Sequence, residues 1–214
     1  MNITRNTQAR RQRGFTLVEM IGVLAIIAVL AAMLVPRVFS AINDSRINTA
    51  VMSYNSVKSA AMLYFGKYGR FGINGGGAIT IATHTNEAAN WDKYVLVPEG
   101  LVEKPFAVKV GTSSAVQVVA GLSSATAATV SNAAYNFDGN STAPSLANEA
   151  SGGQFVLQVV LSGVALDDAL AINNAVDGTD AVLGLNGTTS DVGGRVKYDA
   201  SSTTTTVYMY IAHK

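Results

Sequence analysis

The stretch from Phe15 to Val35, FTLVEMIGVLAIIAVLAAMLV, carries no charge except Glu19. As a helix, those 21 residues reach roughly 31 Å, the thickness of a bilayer's hydrocarbon core. No small head could cover such a helix on every side, so the segment needs lipid or other apolar helices around it. Arg5, Arg10, Arg11 and Arg13 precede it with no acidic residue among residues 1–14, whereas Arg37 and Arg46 follow it, opposed by Asp44. The excess of arginine on one side directs the N-terminus to the cytoplasm and the remainder outward. Glu19 is then out of place, because a carboxylate deep in a membrane helix costs about 2.5–3.5 kcal/mol.

Three readings compete for this segment. A secretory signal peptide has the same basic start, but its apolar region runs about 7–15 residues. The present run is longer, although VLAAM (29–33) offers small residues for a cut. A plain anchor fits the length and leaves Glu19, about 7 Å from the boundary, to snorkel toward the headgroups. The third reading rests on RGFTLVEMIGVLAIIAVLAAMLVP (13–36), which resembles the start of type IV pilins and of the pseudopilins of type II secretion. Gly14 matches the residue before the cut in that family, Phe15 the new N-terminus, Glu19 the fifth mature residue, and Pro36 the helix proline.

That resemblance implies that a prepilin peptidase cleaves after Gly14 and N-methylates Phe15. It also implies that Glu19 of one subunit faces the Phe15 amine of its neighbour in a homo-polymer, where pairing offsets the desolvation of both charges. Gly14 suits a peptidase site that packs against the backbone and leaves no room for a Cβ.

Beyond Pro36, Val38, Ile42, Ile47, Val51, Tyr54, Val57, Ala61, Phe65 and Tyr68 form one stripe of an amphipathic helix, with Gly66 and Gly69 as stops. Pro36 is expected to kink the helix or unwind it locally. Short β-branched runs follow at 94–97 (YVLV), 106–110 (FAVKV), 116–119 (VQVV), 154–161 (QFVLQVVL) and 205–212 (TTVYMYIA). In the last, Val207, Met209 and Ile211 alternate with Tyr208 and Tyr210, the pattern of a half-buried strand. Residues 166–176 read as a short helix with Asp167 and Asp168 at its positive end. The expected fold class is α+β, a long N-terminal helix packed against an antiparallel sheet. Its domains are a leader (1–14), a membrane or filament-core helix (15–36), an amphipathic half-helix (37–66) and a head (67–214). Residues 161–199, with Ser-Gly-Val opening a helix and Gly-Arg-Val closing the segment, resemble a C-terminal element of some pilin-like heads.

Asp177, Asp180 and Asp191 lie in one loop and are candidate calcium ligands, as in the major pseudopilins that this chain resembles. Their spacing is not that of an EF-hand, and Asp-Gly is an ordinary turn former. Apart from this candidate, no cofactor is expected. The Gly-rich loop 72–78 lacks the Gly-Lys-Ser/Thr of a phosphate cradle. The two histidines, His84 and His213, fit no catalytic motif, so the chain is not expected to be an enzyme. Trp91, Tyr208 and Tyr210 read as core or subunit-contact residues.

There is no cysteine, hence no disulfide of the kind that closes the C-terminal loop of many pilins. Without residues 1–14 the chain has 11 basic and 14 acidic residues, a net charge of −3, so no nucleic-acid partner is expected. The expected partners are copies of the same chain, the prepilin peptidase, an inner-membrane assembly platform, and membrane lipid before assembly. The expected location is the bacterial inner membrane for the precursor, then a periplasmic or cell-surface filament. The 200 residues left after cleavage fit a pilus subunit or minor subunit better than a major pseudopilin. A membrane-anchored binding or enzymatic domain is the reading from a different class.

Overall fold

The computed structural model describes residues 14–121, 128–130, 133–135, 155–178 and 190–214. The chain divides into two compact units, one ending at Asn43 and the other running from Asp44 to Lys214. Helix α1 (Leu17–Tyr68) supplies the regular structure of the first and the opening element of the second. In the first unit, every residue from Leu17 to Ile42 is exposed. The helix is unbroken at Pro36, so of the kink or local unwinding expected there the unwinding does not occur. Proline removes only one amide donor, and Ser40 Oγ donates to Pro36 O at 3.2 Å within the next turn.

In the second unit α1 becomes amphipathic. Ile47, Ala50, Tyr54, Val57, Ala61 and Tyr64 are buried at alternating spacings of three and four, as one face of a helix requires. Val38 and Ile42, read as part of the stripe, are exposed, so the stripe begins at Ile47. The helix stops at Gly69, whose φ of 67° suits a residue without a Cβ and whose amide donates to Phe65 O at 2.7 Å.

The stripe packs on a five-stranded antiparallel sheet, β1 (Ser113–Ala120), β2 (Phe155–Ala165), β3 (Ser190–Asp191), β4 (Val196–Asp199) and β5 (Thr204–His213), in the order β1-β2-β5-β4-β3. The α+β arrangement is the one the sequence implies. Val116, Val118, Leu157, Val159, Val207, Met209 and Ile211 form the inner face, alternating along their strands as expected. Tyr54 of α1 donates its hydroxyl to Tyr210 O of β5, and Arg46 donates through Nε to Lys109 O at 2.9 Å. Helix α3 (Leu166–Val176), following β2 directly, spans the residues read as helical and buries Ala169, Ile172 and Asn173.

Two expected strands are not strands. Residues 94–96 belong to a turn of wide helix, Asp92–Leu96, that follows helix α2 (Thr85–Ala89), and Val97 caps it. Val95 and Leu96 are both fully buried, in one core cluster with Trp91. Residues 106–110 form no ladder, because the Phe106 amide is bonded to the buried Asp92 carboxylate and Lys109 O to Arg46. Trp91 sits in the core, as expected, and donates Nε1 to Gly72 O at 2.7 Å. The loop at 72–78 contains a 3-10 turn, Asn74–Gly76. Glu99 ties it to the end of α1, accepting from Lys67 Nζ at 2.8 Å, Tyr68 Oη at 2.9 Å and Gly75 N at 2.7 Å.

The outward face of the sheet is also covered. Tyr135 packs beside Val156 and donates to Gln158 Oε1 at 2.7 Å. Lys197 is fully buried; its Nζ donates to Thr129 O at 2.9 Å and Ala134 O at 2.8 Å and lies 4.2 Å from the centre of the Tyr135 ring.

Candidate functional site

Gly14, Phe15 and Thr16 are non-helical and exposed, and α1 begins at Leu17. What stops the helix from extending backward is a reciprocal pair of side chains. Thr16 Oγ1 accepts from the Glu19 amide at 3.3 Å, while Glu19 Oε2 accepts from the Thr16 amide at 2.8 Å and from Thr16 Oγ1 at 2.9 Å. The Met20 amide donates to Thr16 O at 3.2 Å, the first bond of the helix. This is a capping box, in which the N-cap and the third helical residue each satisfy a donor that would otherwise have no partner. The signal for it, Thr16-x-x-Glu19 ahead of an apolar run, is present in the sequence; the role of Thr16 is one that the reading by charge alone misses.

The box gives Glu19 a partner within its own chain. It also fixes where the backbone changes character. The Gly14–Phe15 peptide lies just outside the helix, with nothing within 4 Å of the Gly14 Cβ position and Phe15 82% exposed. A peptidase can grip such a peptide, whereas a helical one would first have to unwind. Immediately behind it comes an uncovered apolar surface in which Leu17, Val29 and Met33 are each about two-thirds or more exposed. The helix is long and apolar enough to cross a membrane. Gly14, Phe15 and Glu19 are thus together at one end of the helix, with Thr16 among them, and Pro36 stands apart within it.

Two of the three calcium candidates, Asp177 and Asp191, are bonded to backbone amides. Asp177 Oδ2 accepts from the amides of Arg195 and Val196, both at 2.8 Å. Asp191 accepts from Asn173 Nδ2 at 2.8 Å and from the Gly193 amide at 3.0 Å. Both carboxylates pin the turn before β4, and burial pushes both up, Asp191 to about 7. Asp180 lies outside the described residues. Among the described residues no three His, Cys, Asp or Glu side chains gather as a metal group. One buried acceptor beside Asp191, Asn173 Oδ1, has no partner among the described residues.

A family model described as the prokaryotic N-terminal methylation motif matches residues 9–35, the signature of type IV pilins and pseudopilins. Neither the curated proteins nor the solved structures contain a match to the chain. The match covers the capping box, both sides of the Gly14–Phe15 peptide and the apolar helix as far as Val35.

Proposed function

We propose that this chain, which carries the N-terminal methylation signature of pilins and pseudopilins, is the precursor of a filament subunit. In this reading a prepilin peptidase cuts the Gly14–Phe15 peptide and N-methylates the Phe15 amine. The freed subunit waits in the lipid bilayer with its head outside, then joins copies of itself through α1. The observation that carries the reading is the coincidence of three features at the start of α1: an exposed non-helical peptide, a capped helix start and a methylation signature that spans both.

Glu19 has two successive partners in this scheme. In the monomer it closes the capping box on Thr16. In the filament it faces the Phe15 amine of the adjacent subunit, where low dielectric makes an unpaired charge costly; removing one partner of such a pair costs about 3–5 kcal/mol. The platform in the inner membrane that extracts subunits would act on the same end of the helix. Mass spectrometry of the protein from its native membrane tests the reading. A chain beginning at N-methyl-Phe15 supports it, and a chain beginning at Met1 rejects it. Gly14→Val is expected to leave full-length precursor, and Glu19→Ala a cleaved subunit that fails to polymerise.

The methylation signature is common to surface pili and short secretion pseudopili, and the reading proposed here is the pilus. Fibres sheared from cells and seen by electron microscopy support that choice; their absence beside an intact periplasmic filament reverses it. Calcium at Asp177, Asp180 and Asp191 is proposed on one ground, the orphaned Asn173 Oδ1 beside Asp191. Residues already bonded to amides have few lone pairs left for a cation that takes six to eight oxygens. A rise in melting temperature on adding calcium supports the site, and an unchanged value removes it.

A further inference from the structure

On the outward face of the sheet, the ends of β4 and β5 leave a depression of about 450 Å³, within the range of small-ligand sites. Its floor follows from strand alternation. Thr205 and Val207 are buried, so Thr204, Thr206 and Tyr208 point the other way. Lys197 pairs with Tyr208 across β4 and β5, which places Asp199, two residues on, on the same face. Ser190 and Ser202 complete the rim, and Val130 closes the far side. That wall is held by the bond from Lys197 Nζ to Thr129 O.

The chemistry of this lining is unusual in what it combines. Among the described residues, the hydroxyls of Ser190, Ser202, Thr204, Thr206 and Tyr208 find no hydrogen-bond partner. Asp199 accepts from the Ser201 amide at 2.9 Å through Oδ1, and its other oxygen has no partner among the described residues. Among the described residues, no lysine, arginine or histidine lines the depression. An anion would meet a carboxylate and no cation. An apolar ligand would strand several hydroxyls without water or partner. A polyhydroxylated, uncharged molecule satisfies both donors and acceptors, while the half-buried Tyr208 ring offers a flat apolar surface for one face of a pyranose.

We propose that this depression binds a neutral saccharide, with Asp199 and Thr206 bonding to its hydroxyls and Tyr208 stacking on a ring. The inference is separate from the filament reading and stands whether or not that reading does. The test uses the full chain in lipid nanodiscs, free of sugar-headed detergent, with cellobiose and N,N′-diacetylchitobiose as neutral probes and sialyllactose as the anionic one. Saturation-transfer NMR is expected to show millimolar binding of at least one neutral disaccharide and weaker binding of sialyllactose. Tyr208→Ala and Thr206→Val are each expected to weaken it by about tenfold. Thr206→Val keeps the shape and strand preference of the residue, so an unchanged melting temperature separates loss of binding from loss of fold. Failure of both neutral probes to bind, equal binding of sialyllactose, or wild-type binding by Thr206→Val with Tyr208→Ala would each overturn the proposal.

Discussion

Tyr54 shows how one atom links the two layers of the head. Its ring is part of the buried stripe of α1, and its hydroxyl bonds to Tyr210 O of β5. Tyr54→Phe keeps the packing and removes that bond, leaving a buried carbonyl with less to accept. The expected loss is about 0.5–1.5 kcal/mol, read from urea melts of the full chain in micelles. At the other end of the same helix, Thr16→Val breaks the capping box while leaving the charge of Glu19. It is expected to cost about 1 kcal/mol of helix stability, seen as faster amide exchange at Val18, Glu19 and Met20, with Thr16→Ser restoring protection. These two side chains differ in how readable they are from sequence. Thr16 and Glu19 are three apart ahead of an apolar run, a local pattern. The partner of Tyr54 lies 156 residues away, beyond any local signal.

Among the elements, α1, α3, β2 and β5 were legible because each imposes a period or an extended β-branched run long enough to read. YVLV at 94–97 was not. Four apolar residues in a row fit a buried strand and a buried helical turn equally well, and the choice was made by Trp91 and Asp92, whose bonds to Gly72 and Phe106 set the local path. The short strands β3 and β4 flank a turn whose shape depends on distant groups. Gly194 there has a φ of 77°, and a Cβ would lie 2.5 Å from Asp177 Oδ2, the oxygen that holds the Arg195 and Val196 amides. Gly194→Ala therefore meets both backbone strain and a clash, and is expected to lower stability by about 1–3 kcal/mol in a thermal melt.

Taken as a whole, the head buries charges of both signs, and their titrations oppose each other. Burial pulls Lys197 down from 10.5 to about 7. Between those values the unfolded chain binds a proton that the folded one does not, so stability rises with pH. Burial pushes Asp191 up from 3.8 to about 7, and raises Asp92 and Asp177 in the same direction. For these the folded chain holds the extra proton, so stability falls as pH climbs toward neutrality. The melting temperature is expected to pass through a minimum near pH 7 in a scan from about pH 5 to about pH 10. Above that range Tyr198 and Tyr210, raised to about 12, reverse the alkaline gain. Lys197→Met is expected to flatten the rising limb and spare the falling one.

The strand order has a bearing on how the head closes. Among the described residues, β5 is the element that joins the β1-β2 pair to the β3-β4 pair, and it follows both in the chain. Until β5 docks, the sheet exists as two halves with nothing between them, so a polypeptide cut back before Thr204 would keep both pairs and be unable to zip them together.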